Sequence, residues 1–146
     1  MRISHDTLVL VADGRKSLFL RNEGDAEHLN LVVEDQRGHA DLADHDLKAD
    51  APGRSFASVG SRRSAIEETD YHQMEEDRFA ADTAALLSRR AHAHHFAELI
   101  VVAPPRALGE LRRHYDKAIE AKLVAEVDKD LVNHPMEKLE TILKAY

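Results

Sequence analysis

Apolar residues fall into short alternating or continuous runs at both ends of the chain and into helically spaced sets between them. Thr7-Leu8-Val9-Leu10-Val11-Ala12 and Ser17-Leu18-Phe19-Leu20-Arg21 are rich in β-branched and aromatic residues and predict two strands. Between them, the Asp-Gly step of Asp13-Gly14-Arg15-Lys16 predicts a hairpin turn with left-handed backbone angles. His28-Leu29-Asn30-Leu31-Val32-Val33-Glu34 alternates and predicts a third, antiparallel strand. Leu99-Ile100-Val101-Val102-Ala103 is a continuous apolar run, the signature of a strand covered on both faces. Pro104 and Pro105 end its ladder and open a helix, since a proline loses nothing in a first turn. The carboxyl end of this strand therefore meets a helix amino end, a usual place for a site in an α/β sheet. Lys122-Leu123-Val124-Ala125-Glu126-Val127 predicts a fifth strand.

Three helices complete the pattern. Phe79, Ala80, Thr83, Ala84, Leu86, Leu87 and Ala91 recur at steps of three and four, predicting a helix from Asp70 to about Ala93, with Asp70 as cap and Gln73 reaching back to it. Leu108, Leu111 and Tyr115 continue helical spacing after the two prolines, and residues 135–143 form a closing helix with Pro135 near its start. The order is βββαβαβα. Right-handed crossovers place the last two strands parallel to the first, giving an open, mixed, five-stranded sheet covered by helices. From Asp35 to about Thr69 the periodicity vanishes, which predicts a long loop of the kind that is usually functional.

Composition narrows the function. A length of 146 residues with no linker of Pro, Gly and Ser predicts one domain over 1–146. Twenty basic and 27 acidic residues give a net charge of −7, which disfavours a general nucleic-acid or anionic-membrane coat but leaves room for a local basic patch. With no cysteine there are no disulfides or thiolate metal sites, which fits a reducing compartment. Neither a signal peptide nor a membrane span is visible, so the expectation is a cytoplasmic protein without membrane insertion.

The order of elements, Val11-Ala12-Asp13-Gly14-Arg15, Pro52-Gly53-Arg54-Ser55-Phe56, the joint Val101-Val102-Ala103-Pro104-Pro105-Arg106-Ala107-Leu108-Gly109-Glu110-Leu111-Arg112 and Glu126-Val127-Asp128-Lys129-Asp130-Leu131 together resemble the bacterial proteins described as required for attachment to host cells. The resemblance spans nearly the whole chain. That family is similar to the central domain of archaeal and eukaryotic peptide-chain release factors. It implies a single three-layer, RNase-H-like α/β domain, without the codon-reading or carboxyl-terminal domains. In release factors the loop before the first long helix carries a Gly-Gly-Gln tip that reaches the peptidyl-transferase centre. The corresponding segment here, residues 52–65, has no Gly-Gly-Gln, and the only glutamines are Gln36 and Gln73. Peptidyl-tRNA hydrolysis is therefore not carried over, and a basic loop that touches RNA is what remains.

Residues 51–66 contain Arg54, Arg62 and Arg63 and no Asp or Glu, so this stretch is +3 in a chain of −7. Guanidiniums among Gly and Ser engage phosphate through forked donors, and Phe56 is available to stack on a base. The plainer alternative is a solvated loop whose arginines pair with nearby carboxylates, because three charges are few for nucleic-acid affinity. Asp13, Asp128 and Asp130 invite comparison with nuclease carboxylates that hold divalent metals, although turn and ion-pair roles suffice for all three. His92, His94 and His95 lie near a helix end, where a protonated histidine meets the negative end of the helix dipole. His39, Asp41, Asp44, His45 and Asp46 match no metal spacing, and Ser55, Ser58, Ser61 and Ser64 have no assignable His/Asp partners. No cofactor motif, catalytic residue or metal ligand is assigned. The reading is a non-catalytic release-factor-like protein that binds RNA or a ribosomal surface through Arg54, Phe56, Arg62 and Arg63. The alternatives are a protein-interaction module contributing to attachment, docked at the Pro104-Pro105 end or through residues 39–50, and, third, a metal-dependent nuclease.

Overall fold

The computed structural model describes residues 1–38 and 61–146, with the side chains of 61–66 outside that description. Strands β1 (Leu8–Ala12), β2 (Lys16–Asn22) and β3 (Leu31–Gly38) precede the long helix α1 (Ser61–His92). Then come β4 (Leu99–Val102), α2 (Pro105–Arg112), α3 (Lys117–Lys122), β5 (Leu123–Val127) and α4 (Met136–Ala145). The five strands form one sheet in the order β3-β2-β1-β4-β5. β1 pairs antiparallel with β2 and parallel with β4, and β5 is parallel to β4, so the expected mixed α/β sheet is present.

β1 is the middle strand, and all five of its residues are buried because helices cover both faces. Side-chain alternation divides the core in two. Leu8, Leu10, Phe19, Leu99 and Val101 point to the face covered by α1, α2 and α3. Val9, Val11, Leu20, Ile100 and Val127 point to the face covered by α4 through Leu139 and Leu143. The parallel register Leu8↔Leu99 to Val11↔Val102 aligns these sets, so three layers share two apolar interfaces.

Four boundaries differ from the sequence expectation. First, the β1–β2 turn is not left-handed at Gly14, since Gly38 is the one described glycine with positive φ. The Asp13 carboxylate instead accepts the N–H groups of Arg15 and Lys16 at 2.8 and 2.7 Å, and this closes the turn without special backbone angles. Second, β3 begins at Leu31 rather than His28, because Asp25 Oδ1 ties the N–H groups of Glu27 and His28 into a turn. It runs on through Asp35 to Gly38 as an outer strand held by backbone pairing to Lys16–Phe19. Third, the helix starts at Ser61 instead of Asp70. No Gly or Pro interrupts residues 61–103, so nothing stops the helix from extending backwards. The expected loop of 35–69 therefore loses both ends, and its residues 39–60 lie outside the described part. Fourth, the single helix expected after β4 is two helices: α2 ends at Arg112, and Asp116 caps α3 by accepting from the Ile119 N–H at 2.9 Å.

Candidate functional site

α1 is 32 residues long, roughly 48 Å at 1.5 Å per residue. Its carboxyl half packs on the sheet through Ala80, Thr83, Ala84, Leu87 and Ala91, whose small side chains allow close approach. No residue from 67 to 79 is buried. Residues 67–72 are exposed and half-buried positions begin at Gln73, so contact with the body starts near there, and the first turn stands roughly 27 Å along the axis from Ala80.

Arg62 and Arg63 occupy that first turn, with side chains outside the described part, while Arg54 and Phe56 lie outside the described residues altogether. The next eleven residues, 67–77, carry Glu67, Glu68, Asp70, Glu75, Glu76 and Asp77 and no Lys or Arg. Charge is thus segregated along one helix, basic at its start and acidic before it reaches the body. Asp70 stands in the third turn, not at a cap, and Gln73 Nε2 donates to Asp77 Oδ1 at 2.9 Å, an i,i+4 bond that supports the exposed half.

Of the remaining candidates, Asp13, His92 and His95 have structural roles. Asp13 holds its turn, and Asp128 and Asp130 are exposed beyond β5. Among the described residues no group of three or more His, Asp and Glu side chains is placed to hold a metal ion. His92 Nδ1 lies 2.8 Å from the Ser88 carbonyl, four residues back, and donates to it at the end of α1. His94 adopts φ 56° just past that end, and the His95 N–H reaches the Arg90 carbonyl at 3.0 Å, closing the helix. The segment of His39, Asp41, Asp44, His45 and Asp46 lies outside the described residues, as do Ser55, Ser58 and the side chains of Ser61 and Ser64.

One charged network escaped the sequence reading. A bulge between Phe19 and Leu20 sets Glu34 out of register on β3. The Arg21 guanidinium donates to both Glu34 oxygens at 2.7 and 3.2 Å, and Arg90 of α1 reaches Asp35 at 3.1 Å and Glu34 at 3.7 Å. Arg90 also stacks 4.6 Å above the Phe19 ring. This lattice locks the buried half of α1 to the outer strands, and the only sequence signal for it was an adjacent Glu-Asp pair. On α2, Arg112 makes a two-point contact with Glu126 at 2.8 and 3.1 Å, and Tyr115 donates to the same carboxylate at 3.1 Å. Burial, and next the Glu126 charge, push the Tyr115 phenol far above its ordinary value, so it stays protonated.

No described helix is long and apolar enough to cross a membrane. Comparison with curated proteins gives no match. A family model does match, over residues 6–143, and it takes in the whole sheet and all four described helices up to Leu143. The chain belongs to bacterial archaeo-eukaryotic release factor family 12.

Proposed function

We propose that this release-factor-like chain binds RNA or a ribosomal surface without catalysing peptide release. Its contact is the basic segment 51–66, where Arg54, Arg62 and Arg63 engage phosphate and Phe56 stacks on a base. The observation that supports this most is the join between that segment and α1. A stretch of sixteen residues with three arginines and no carboxylate leads into a helix whose residues 67–72 are all exposed. A long helix with an exposed stretch behind its first turns can present a charged segment to a groove. The acidic stretch 67–77 repels a polyanion from the flank and confines contact to the tip. The attachment role implied by the wider resemblance is then indirect, acting through translation. The absence of Gly-Gly-Gln from 52–65 is the reason for assigning binding without hydrolysis.

Co-sedimentation with ribosomes across a salt series tests the reading. Three phosphate contacts to single-stranded RNA give a slope of about −2 in log K against log salt. The triple variant Arg54→Ala/Arg62→Ala/Arg63→Ala should lose most of the association and most of that slope. Association that is indifferent both to salt and to the triple substitution would overturn the reading and favour a protein partner.

A further inference from the structure

A cavity of about 220 Å³ opens at the carboxyl ends of β1 and β4, between the β1–β2 turn, the middle of α1 and the start of α2. Its floor is apolar, made by Ala12, Phe79, Ala107 and Leu111. Its rim carries three carboxylates, Asp13, Glu76 and Glu110, against one guanidinium, Arg106, a formal charge of −2. Thr83 lines the wall as well, is only 4% exposed, and makes no side-chain hydrogen bond among the described residues. A helical hydroxyl that spends no bond on its own backbone can donate to or accept from a guest in the cavity.

We propose that this cavity binds a small organic cation, a primary ammonium or guanidinium on a short apolar stem. Each feature selects that chemistry. Asp13 spends Oδ1 on the Arg15 and Lys16 amides and keeps Oδ2 free. Glu76 makes no ion pair among the described residues, and its carboxyl carbon lies against the turn: a Cβ built on Gly14 would stand 2.9 Å from it. Glu110 has only the exposed Arg113 at 3.4 Å. Carboxylates at the mouth of a concave, low-dielectric surface focus negative potential into it. An anion is repelled, and a neutral apolar guest strips water from the carboxylates without replacing it. A bare metal ion is disfavoured by the apolar floor, and no described trio of carboxylates is set to ligate one. A cation with a hydrocarbon stem satisfies floor, rim and Thr83 together. The volume lies below the usual 300–1,000 Å³ of drug-sized sites, which limits the guest to something the size of one long side chain. That chemistry has two sources, a free diamine or guanidine and the arginine or lysine side chain of a peptide.

This inference is independent of RNA binding, since it uses no residue of 51–66. The full chain is titrated in a two-dimensional amide NMR experiment with agmatine, with 1-pentanol as the neutral stem, and with N-acetyl-arginine methylamide as the peptide surrogate. Saturable shifts at Gly14, Thr83 and Ala107 with agmatine but not pentanol are expected. Glu76→Gln should weaken binding at least tenfold, whereas Glu137→Gln, an equal charge change on exposed α4, should leave it unchanged. Gly14→Ala, which displaces the Glu76 carboxyl without altering charge, should weaken it too. Tighter binding of agmatine identifies a free amine, and tighter binding of the arginine amide identifies a peptide side chain. Equal shifts with pentanol, no saturable shift with either cation, or equal affinity in the Glu76 and Glu137 variants would each overturn the proposal.

Discussion

Asn22 shows how one polar side chain can organise several segments. It is fully buried, its amide donates to the carbonyls of Ile3 and Ser4 at 2.9 and 3.1 Å, and its Oδ1 accepts from Gly24 and Asn30. Asn22→Ala strands several buried backbone groups and should cost about 2–4 kcal/mol, read as a lower urea midpoint. Gly38 is constrained by both angle and space: φ is +118°, and a Cβ there would fall 2.1 Å from the Arg15 carbonyl oxygen. Gly38→Ala should cost about 1–3 kcal/mol and speed amide exchange where the end of β3 meets β2. Ser17 is the converse case, with a buried hydroxyl that has no partner among the described residues. Ser17→Ala should be neutral or stabilise by up to about 1 kcal/mol, and a loss of stability would indicate a hidden partner. None of these roles was visible in the sequence, because each depends on a contact with a distant or differently oriented backbone.

At the scale of elements, legibility followed burial. β1 and β4 were readable because both faces are covered, so nearly every position had to be apolar. The second half of β3, a half-buried Asp35 followed by exposed Gln36 to Gly38, lies on an outer strand and makes no hydrophobic demand, so its charges read as loop. The first turns of α1 were missed for a similar reason: no apolar stripe marks them in the sequence. The end of α1, expected near Ala93 and found at His92, was legible from where the apolar spacing stops, although a histidine, not a glycine, adopts the left-handed position. His94→Gly should relieve that strain and stabilise by roughly 0.5–1 kcal/mol with an unchanged denaturant slope. The break between α2 and α3 rests on Asp116. The Ser88 hydroxyl, and next the Ile119 N–H, favour its charged form and hold the carboxyl below its ordinary 3.8. A carboxylate lowered on folding adds stability above its unfolded value and loses it as pH falls through the folded one. Loss of the cap in Asp116→Ala should cost about 1 kcal/mol near neutral pH, and the acid limb of the stability profile should flatten.

For the molecule as a whole, the mixed sheet and its crossovers were legible because order, strand type and handedness leave few topologies. The candidate site was legible only as charge: Arg54, Arg62 and Arg63 stood out in a chain of −7, but that Arg62 and Arg63 lie in the first turn of α1 depends on where that helix begins. The proposed function joins the charge separation and the helix into one device, a basic segment leading into α1 on an otherwise acidic chain. Photo-crosslinking of the intact protein to RNA in cells, with adducts mapped by mass spectrometry, tests that device most directly. Nucleotide adducts concentrated in residues 51–66, and lost in the Arg54/Arg62/Arg63 triple alanine variant, are the predicted result. Adducts confined to other residues, or undiminished in the variant, would contradict it.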